Sequence, residues 1–63
     1  MTFNNIKTLR KKHGLTQEEL CQTIGISRQH LSQIERNLAI PSIIIALKIA
    51  VLFDKRIEEI FYL

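Results

Sequence analysis

The sequence lacks the crosslinks that many very small domains use to stay folded. It has a single cysteine, Cys21, in 63 residues, so no disulfide can form within the chain, and it offers no set of four zinc-type ligands. Cys21 is therefore interpreted as an inert core residue. A lone reduced cysteine fits a reducing environment, and a cytoplasmic location is predicted.

Proline, glycine and long apolar runs are also scarce. One proline and two glycines exclude collagen-like and low-complexity chains. The most apolar stretch, residues 43–53, contains Lys48 and is followed by charged residues, so it falls short of the roughly 20 apolar residues that cross a bilayer. Contact with a membrane is therefore not expected, and one globular domain is predicted over residues 1–63.

No arrangement of residues suggests catalysis. His13 and His30 lie far apart in the chain, and neither stands beside a candidate nucleophile or a second metal ligand. We therefore predict no enzymatic activity, no metal and no cofactor. Because the chain has no room for a second domain, a small-molecule effector is not expected either.

Apolar residues recur at helical spacing through most of the chain, with no strand-like alternation. Thr16, Ser27 and Ser42 are typical N-cap residues, and Glu19 completes a capping box with Thr16. The residues suited to left-handed helix ends are Gly14, Gly25 and Asn37. The pattern predicts an all-α fold with five helices, over about residues 4–13, 17–24, 28–36, 43–53 and 57–61. The two ends of the chain, Phe3 and residues 61–63, either pack together or pair briefly as strands.

Residues 16–36 have the features of a helix-turn-helix unit. Two short helices meet at Gly25, and the second has apolar residues, Leu31 and Ile34, on one side and hydrogen-bonding side chains on the other. Residues 1–36 hold six Lys or Arg against three Glu, whereas residues 37–63 hold three basic against three acidic residues. This charge excess in the first half favours a polyanionic partner.

Six stretches in collinear order strengthen this interpretation: IKTLRKK (6–12), GLTQEEL (14–20), IGISRQ (24–29), IE (34–35), PS (41–42) and ALKIA (46–50). In these stretches the chain resembles the Cro/cI-type (Xre-like) family of helix-turn-helix transcriptional regulators. The resemblance implies a compact five-helix lambda-repressor-like fold and double-stranded DNA as the partner. It also implies a repressor that binds a palindromic operator as a homodimer.

The resemblance also implies roles for individual residues. The residues expected to contact bases in the major groove are Arg28, Gln29, His30, Ser32 and Gln33. Those expected to contact phosphates are Thr16, Gln17, Lys7, Lys11 and Arg36, although a solvated lysine needs no such role. Arg10 and Glu35 are expected to form a structural ion pair between the first and third helices.

The sequence departs from the family pattern in its second half. The loop after the third helix lacks basic residues, and apolar residues occupy positions that are often polar. We expect a dimer interface formed by Leu38, Ile40, Ile44, Val51, Ile57 and Phe61, unless the C-terminal end folds over these side chains. An alternative is an antitoxin-like protein-interaction module that uses the same patch. Arg56 replaces the usual capping Ser or Thr, so a short or frayed fifth helix is expected.

Overall fold

The fold consists of five short helices and one small sheet that joins the two ends of the chain. The computed structural model describes residues 3–63; residues 1 and 2, which belong to the predicted domain, lie outside the described residues. The helices are α1 (Ile6–Lys12), α2 (Gln17–Ile24), α3 (Arg28–Glu35), α4 (Ile43–Phe53) and α5 (Ile57–Ile60). The strands are β1 (Phe3–Asn4) and β2 (Phe61–Tyr62). The predicted five-helix architecture is confirmed, and the sheet is a minor addition to it.

Three helices begin at the predicted caps. The Thr16 hydroxyl accepts from the Glu19 amide at 3.1 Å, and the Glu19 carboxylate accepts from the Thr16 amide at 2.9 Å. Ser27 and Ser42 each accept from the amide three residues further on, at 3.0 and 3.3 Å. Each cap satisfies a backbone donor that has no partner inside its helix. The starts of α2, α3 and α4 are therefore local properties of the sequence.

Four helices end at a residue with left-handed backbone. The φ angle is +70° at Gly14, +78° at Gly25, +62° at Asn37 and +53° at Asp54. The predictions for the first three are confirmed. Asp54 was predicted to lie in a short connection, and its left-handed backbone was not predicted. Aspartate adopts this conformation more easily than most residues, because its short polar side chain can form local hydrogen bonds. These ends let consecutive helices turn within a few residues.

The two ends of the chain account for the differences from the predicted boundaries. β1 and β2 pair antiparallel, with Phe3 opposite Tyr62 and Asn4 opposite Phe61. The prediction that α1 starts near Asn4 is therefore wrong, because Asn4 is extended and its Oδ1 accepts from the Ile6 amide at 3.0 Å. The prediction that α5 reaches residue 61 is also wrong, since Phe61 belongs to β2. Both arrangements considered for the chain ends are observed, because the segments pair as strands and the rings of Phe3 and Tyr62 stack with their centroids 6.4 Å apart.

α5 is short, as the missing Ser or Thr cap predicted. It has 4 residues, and Arg56 supplies no side-chain acceptor for it. Glu59 provides half of a capping box instead, because its carboxylate accepts from the Arg56 amide at 2.9 Å.

All five helices contribute to one apolar core. Its buried members are Ile6, Leu9, Leu20, Cys21, Ile24, Leu31, Ile34, Ile49, Ala50, Phe53 and Ile60. Cys21 lies in this core as predicted, and its Sγ donates to the Glu18 carbonyl at 3.2 Å. Within residues 3–63, no helix has the length and apolar character needed to span a membrane.

Candidate nucleic-acid interface

The outer face of α3 follows from the way α2 and α3 pack. The amides of Gly25 and Ile26 both donate to the Cys21 carbonyl, at 2.8 and 3.0 Å, and this turn redirects the chain between the two helices. Leu31 and Ile34 are fully buried beneath α3. Because a helix turns by about 100° per residue, burying these two side chains directs the polar side chains of α3 toward solvent.

A groove of about 380 Å³ runs along this outer face, and we call it the reading groove. It is lined by Gln17, Arg28, Gln29, Ser32, Gln33, Arg36 and Leu38. Four of the five residues predicted to contact bases therefore share one surface. The fifth, His30, is exposed but lies on the flank of α3 rather than in the groove.

The α3 side chains that line the groove are available for a ligand. Within residues 3–63, none of them makes a hydrogen bond or an ion pair to another part of the protein. The first turn of α3 also contains Arg28 and no acidic residue. Because the amide end of a helix carries a partial positive charge, the side chain and the backbone at this end both favour an anion.

A buried ion pair holds the base of the groove in place. Arg10 Nε lies 2.8 Å from Glu35 Oε2, and the two side chains are only 8% and 2% exposed. Arg10 Nη1 also donates to the Leu15 carbonyl at 2.8 Å. Gln17 Nε2 donates to the second oxygen of the Glu35 carboxylate at 3.0 Å. This network joins α1, the start of α2 and the end of α3.

The residues predicted to contact phosphate occupy different surroundings. Gln17 lies at the edge of the reading groove. Its amide nitrogen carries two hydrogens, so one of them is still free to donate after the other binds Glu35. Thr16 is exposed beside it, and Arg36 lines the groove. Lys7 and Lys11 are exposed one turn apart on α1 and do not line the groove. The structure thus brings three of these five residues together.

The predicted dimer residues divide into two groups. Ile57 and Phe61 pack against the core, whereas Leu38, Ile40, Ile44 and Val51 are exposed by 66%, 77%, 57% and 80%. The C-terminal end therefore does not fold over Ile44 and Val51.

Three further exposed apolar residues on α4, Ile43, Leu47 and Leu52, were missed by the sequence reasoning. Ile43, Leu47 and Val51 follow one another at intervals of four residues, and this helical spacing was the available signal for the first two. We call Ile43, Ile44, Leu47 and Val51 together the apolar α4 face. It borders an apolar groove of about 460 Å³ between α2 and α4.

Lys48, which also lines that groove, was not predicted to have a role either. Its Nζ donates to the Ile24 carbonyl at 3.5 Å, which satisfies an acceptor at the end of α2. No local pattern indicated this contact, since it joins residues from two separate helices.

The geometry of α2 and α3 and the polar groove along α3 define a helix-turn-helix protein. A helix-turn-helix family model matches residues 6–60 of the chain. The chain belongs to the Cro/cI-type family of helix-turn-helix transcriptional regulators, and the predicted family and lambda-repressor-like fold are confirmed. It is a DNA-binding transcriptional regulator.

Individual relatives cover most of the chain. It is 40% identical over 60 residues to the uncharacterized HTH-type transcriptional regulator YgzD of Bacillus subtilis, covering 95% of this chain and 91% of YgzD.

Two solved structures share the fold at comparable coverage. The restriction-modification controller protein C.AhdI of Aeromonas hydrophila matches with a TM-score of 0.76 and 31% identity, over 86% of this chain and 82% of that one. The biofilm master regulator SinR of Bacillus subtilis, solved in complex with DNA, matches with a TM-score of 0.74 and 37% identity. That match covers 84% of this chain and 86% of the SinR chain in that structure.

Proposed function

We propose that the protein is a repressor that binds a palindromic operator as a homodimer and reads bases in the major groove with α3. The observation that carries this proposal is the reading groove, where polar side chains of α3 lie together and are not engaged by the rest of the fold. A major groove about 12 Å wide admits an α-helix. A cytoplasmic location fits this role.

The groove carries the side-chain chemistry that base recognition requires. A guanidinium such as that of Arg28 can donate to O6 and N7 of one guanine, and an amide such as that of Gln29 can pair with N6 and N7 of one adenine. Ser32 and Gln33 lie one turn further along the same groove. His30, on the flank of α3, meets a base at the edge of the site.

Phosphate contacts come from the rim of the groove. The second amide hydrogen of Gln17, the hydroxyl of Thr16 and the guanidinium of Arg36 can each donate to a phosphate oxygen. The first backbone amides of α2 add donors, because a helix N-terminus favours anions. Lys7 and Lys11 lie beyond the groove and supply longer-range attraction to the DNA backbone.

A second copy of the chain is the occupant we assign to the apolar α4 face. Its four side chains are all exposed and lie along one side of one helix, an arrangement that can pack against itself across a two-fold axis. The molecule measures 26 × 23 × 20 Å, so two copies packed side by side can hold their α3 helices about 34–36 Å apart. That distance is one turn of duplex and suits a palindromic operator.

Selection from a random DNA pool tests this function. The wild-type protein, Gln29→Ala and Gln22→Ala are each used to select and sequence bound duplexes at low and high salt. Gln22 is a matched control because it is exposed on α2 and does not line the reading groove. We expect the wild type and Gln22→Ala to enrich the same palindrome, with half-sites about one turn apart, and Gln29→Ala to lose preference at one position of each half-site.

Weak binding that high salt abolishes, with no enriched sequence, would contradict the proposal. That result would favour the alternative of an antitoxin-like interaction module, which rests on the exposed apolar residues alone.

A further inference from the structure

Asn4 links the terminal sheet to the end of α3. Its Nδ2 donates to the Ile34 carbonyl at 2.8 Å and to Asn37 Oδ1 at 3.0 Å. Both acceptors lie about thirty residues further along the chain, at the point where α3 ends.

The end of α3 is a point where the backbone needs support. Asn37 adopts φ +62°, a conformation that is strained for most residues with a side chain. Its amide donates to the Ile34 carbonyl at 3.0 Å, and the Leu38 amide donates to the Gln33 carbonyl at 2.8 Å. Asn4 therefore binds the same carbonyl that closes the turn, and it also binds the side chain of the left-handed residue.

Asn4 is itself held on two sides. Its backbone pairs with Phe61 in the terminal sheet, and its Oδ1 accepts from the Ile6 amide at 3.0 Å. The carboxamide is thereby fixed with its nitrogen facing α3. A donor that is already oriented loses little conformational entropy when it makes its hydrogen bonds.

We propose that Asn4 is a positioning residue for the recognition helix. It fixes the C-terminal end of α3 and with it Gln33 and Arg36, which line that end of the reading groove. The ion pair of Arg10 with Glu35 anchors α3 from the side of α1, and Asn4 anchors it from the terminal sheet. This inference rests on the proposed role of α3 in base reading.

The variant Asn4→Asp separates the two roles of the carboxamide. Aspartate keeps an oxygen for the Ile6 amide but has no hydrogen to donate to Ile34 or Asn37. Thr8→Asp is the control for the added negative charge, because Thr8 is exposed on α1. Affinity for the duplex selected by the wild type is measured at two salt concentrations, well below the unfolding temperature of each variant. Hydrogen exchange of the Asn37 and Leu38 amides is measured on the same samples.

We expect Asn4→Asp to bind the selected duplex about tenfold more weakly at both salt concentrations. Exchange at Asn37 and Leu38 is expected to become faster while exchange in α4 stays unchanged. For Thr8→Asp we expect affinity within about twofold of the wild type. A merely structural role would lower the unfolding temperature without changing affinity in the fully folded protein.

Three results would overturn the inference. The first is unchanged exchange at Asn37 and Leu38 in Asn4→Asp, the second is unchanged affinity of that variant in its fully folded state, and the third is an affinity loss that Thr8→Asp reproduces. If the wild type itself selects no duplex, the proposed function fails, and the exchange comparison still decides whether Asn4 holds the end of α3.

Discussion

Replacing Arg10 with alanine isolates the contribution of the buried ion pair to stability. The substitution removes the guanidinium from Glu35, whose side chain is 2% exposed, and leaves Gln17 as the remaining partner of that carboxylate. Removing one partner of a buried pair costs about 3–5 kcal/mol, because the remaining charge is left uncompensated. The whole free energy of unfolding of a domain of this size is about 3–9 kcal/mol. Arg10→Ala is therefore expected to lose from about a third to all of its free energy of unfolding at 25 °C.

Urea titration monitored by circular dichroism measures the loss in free energy of unfolding, and Arg56→Ala is the matched control. Arg56 lies 3.9 Å from Glu58, and both side chains are highly exposed, by 79% and 72%. An exposed pair of this kind contributes at most about 1 kcal/mol. Arg10→Ala should therefore lower the free energy of unfolding several times more than Arg56→Ala does.

A double variant tests the cause of the loss. Arg10→Met with Glu35→Met replaces the buried pair by apolar side chains of similar length, a change that is often neutral or stabilising. We expect it to regain most of the stability that Arg10→Ala loses. The reasoning is refuted if Arg10→Ala loses no more stability than Arg56→Ala, or if the double variant is as unstable as Arg10→Ala.

Two further predictions concern the interface and the cap of α2. Val51→Glu should shift the protein from dimer to monomer in sedimentation equilibrium, because it places a charge in the apolar α4 face. Thr8→Glu is the control and should leave the dimer intact. Equal dimerisation of both variants would exclude the apolar α4 face as the interface. The Thr16 amide, together with the Thr16 hydroxyl, holds the pKa of Glu19 below its ordinary value of 4.5. The stabilisation from this carboxylate is therefore fully present above the unfolded-state pKa and is lost as pH falls below about 4.5. Glu19→Gln keeps an acceptor for the cap but cannot titrate, so its unfolding free energy should decline less steeply in acid; parallel pH profiles for the two proteins would contradict this.

The parts of the fold that local chemistry controls could be predicted from the sequence. The starts of α2, α3 and α4 depend on a hydroxyl and an amide three residues later, and the turn at Gly25 depends on its own left-handed backbone. The positions of the α3 side chains in the reading groove follow from helical periodicity once Leu31 and Ile34 are buried. These features need no knowledge of distant contacts.

The remaining features depend on contacts between distant segments. Pairing of Phe3 with Tyr62 joins the two ends of the described chain, and this pairing moves the start of α1 and the end of α5 away from their predicted positions. Asn4 contacts α3, and Lys48 contacts the end of α2. The pairing of the chain ends was one of two alternatives that the sequence left open. No residue spacing indicates the contacts of Asn4 and Lys48, because these exist only after the helices have packed. The sequence left open whether Ile57 and Phe61 face the core or a partner, and in the structure they pack against the core.

The side chains that α3 presents in the reading groove are separate from the apolar core and the buried ion pair beneath the helix. This separation determines how easily the sequence of α3 can change. The α3 side chains that line the groove make no hydrogen bond or ion pair to the protein within residues 3–63. Exchanging them costs little stability, since surface substitutions usually change it by less than about 0.5 kcal/mol. Gln17 is the exception in the groove, because its amide also holds Glu35. Under the proposed function, substitutions on this one exposed face of α3 can therefore change the operator that the protein binds, with no compensating change in the core.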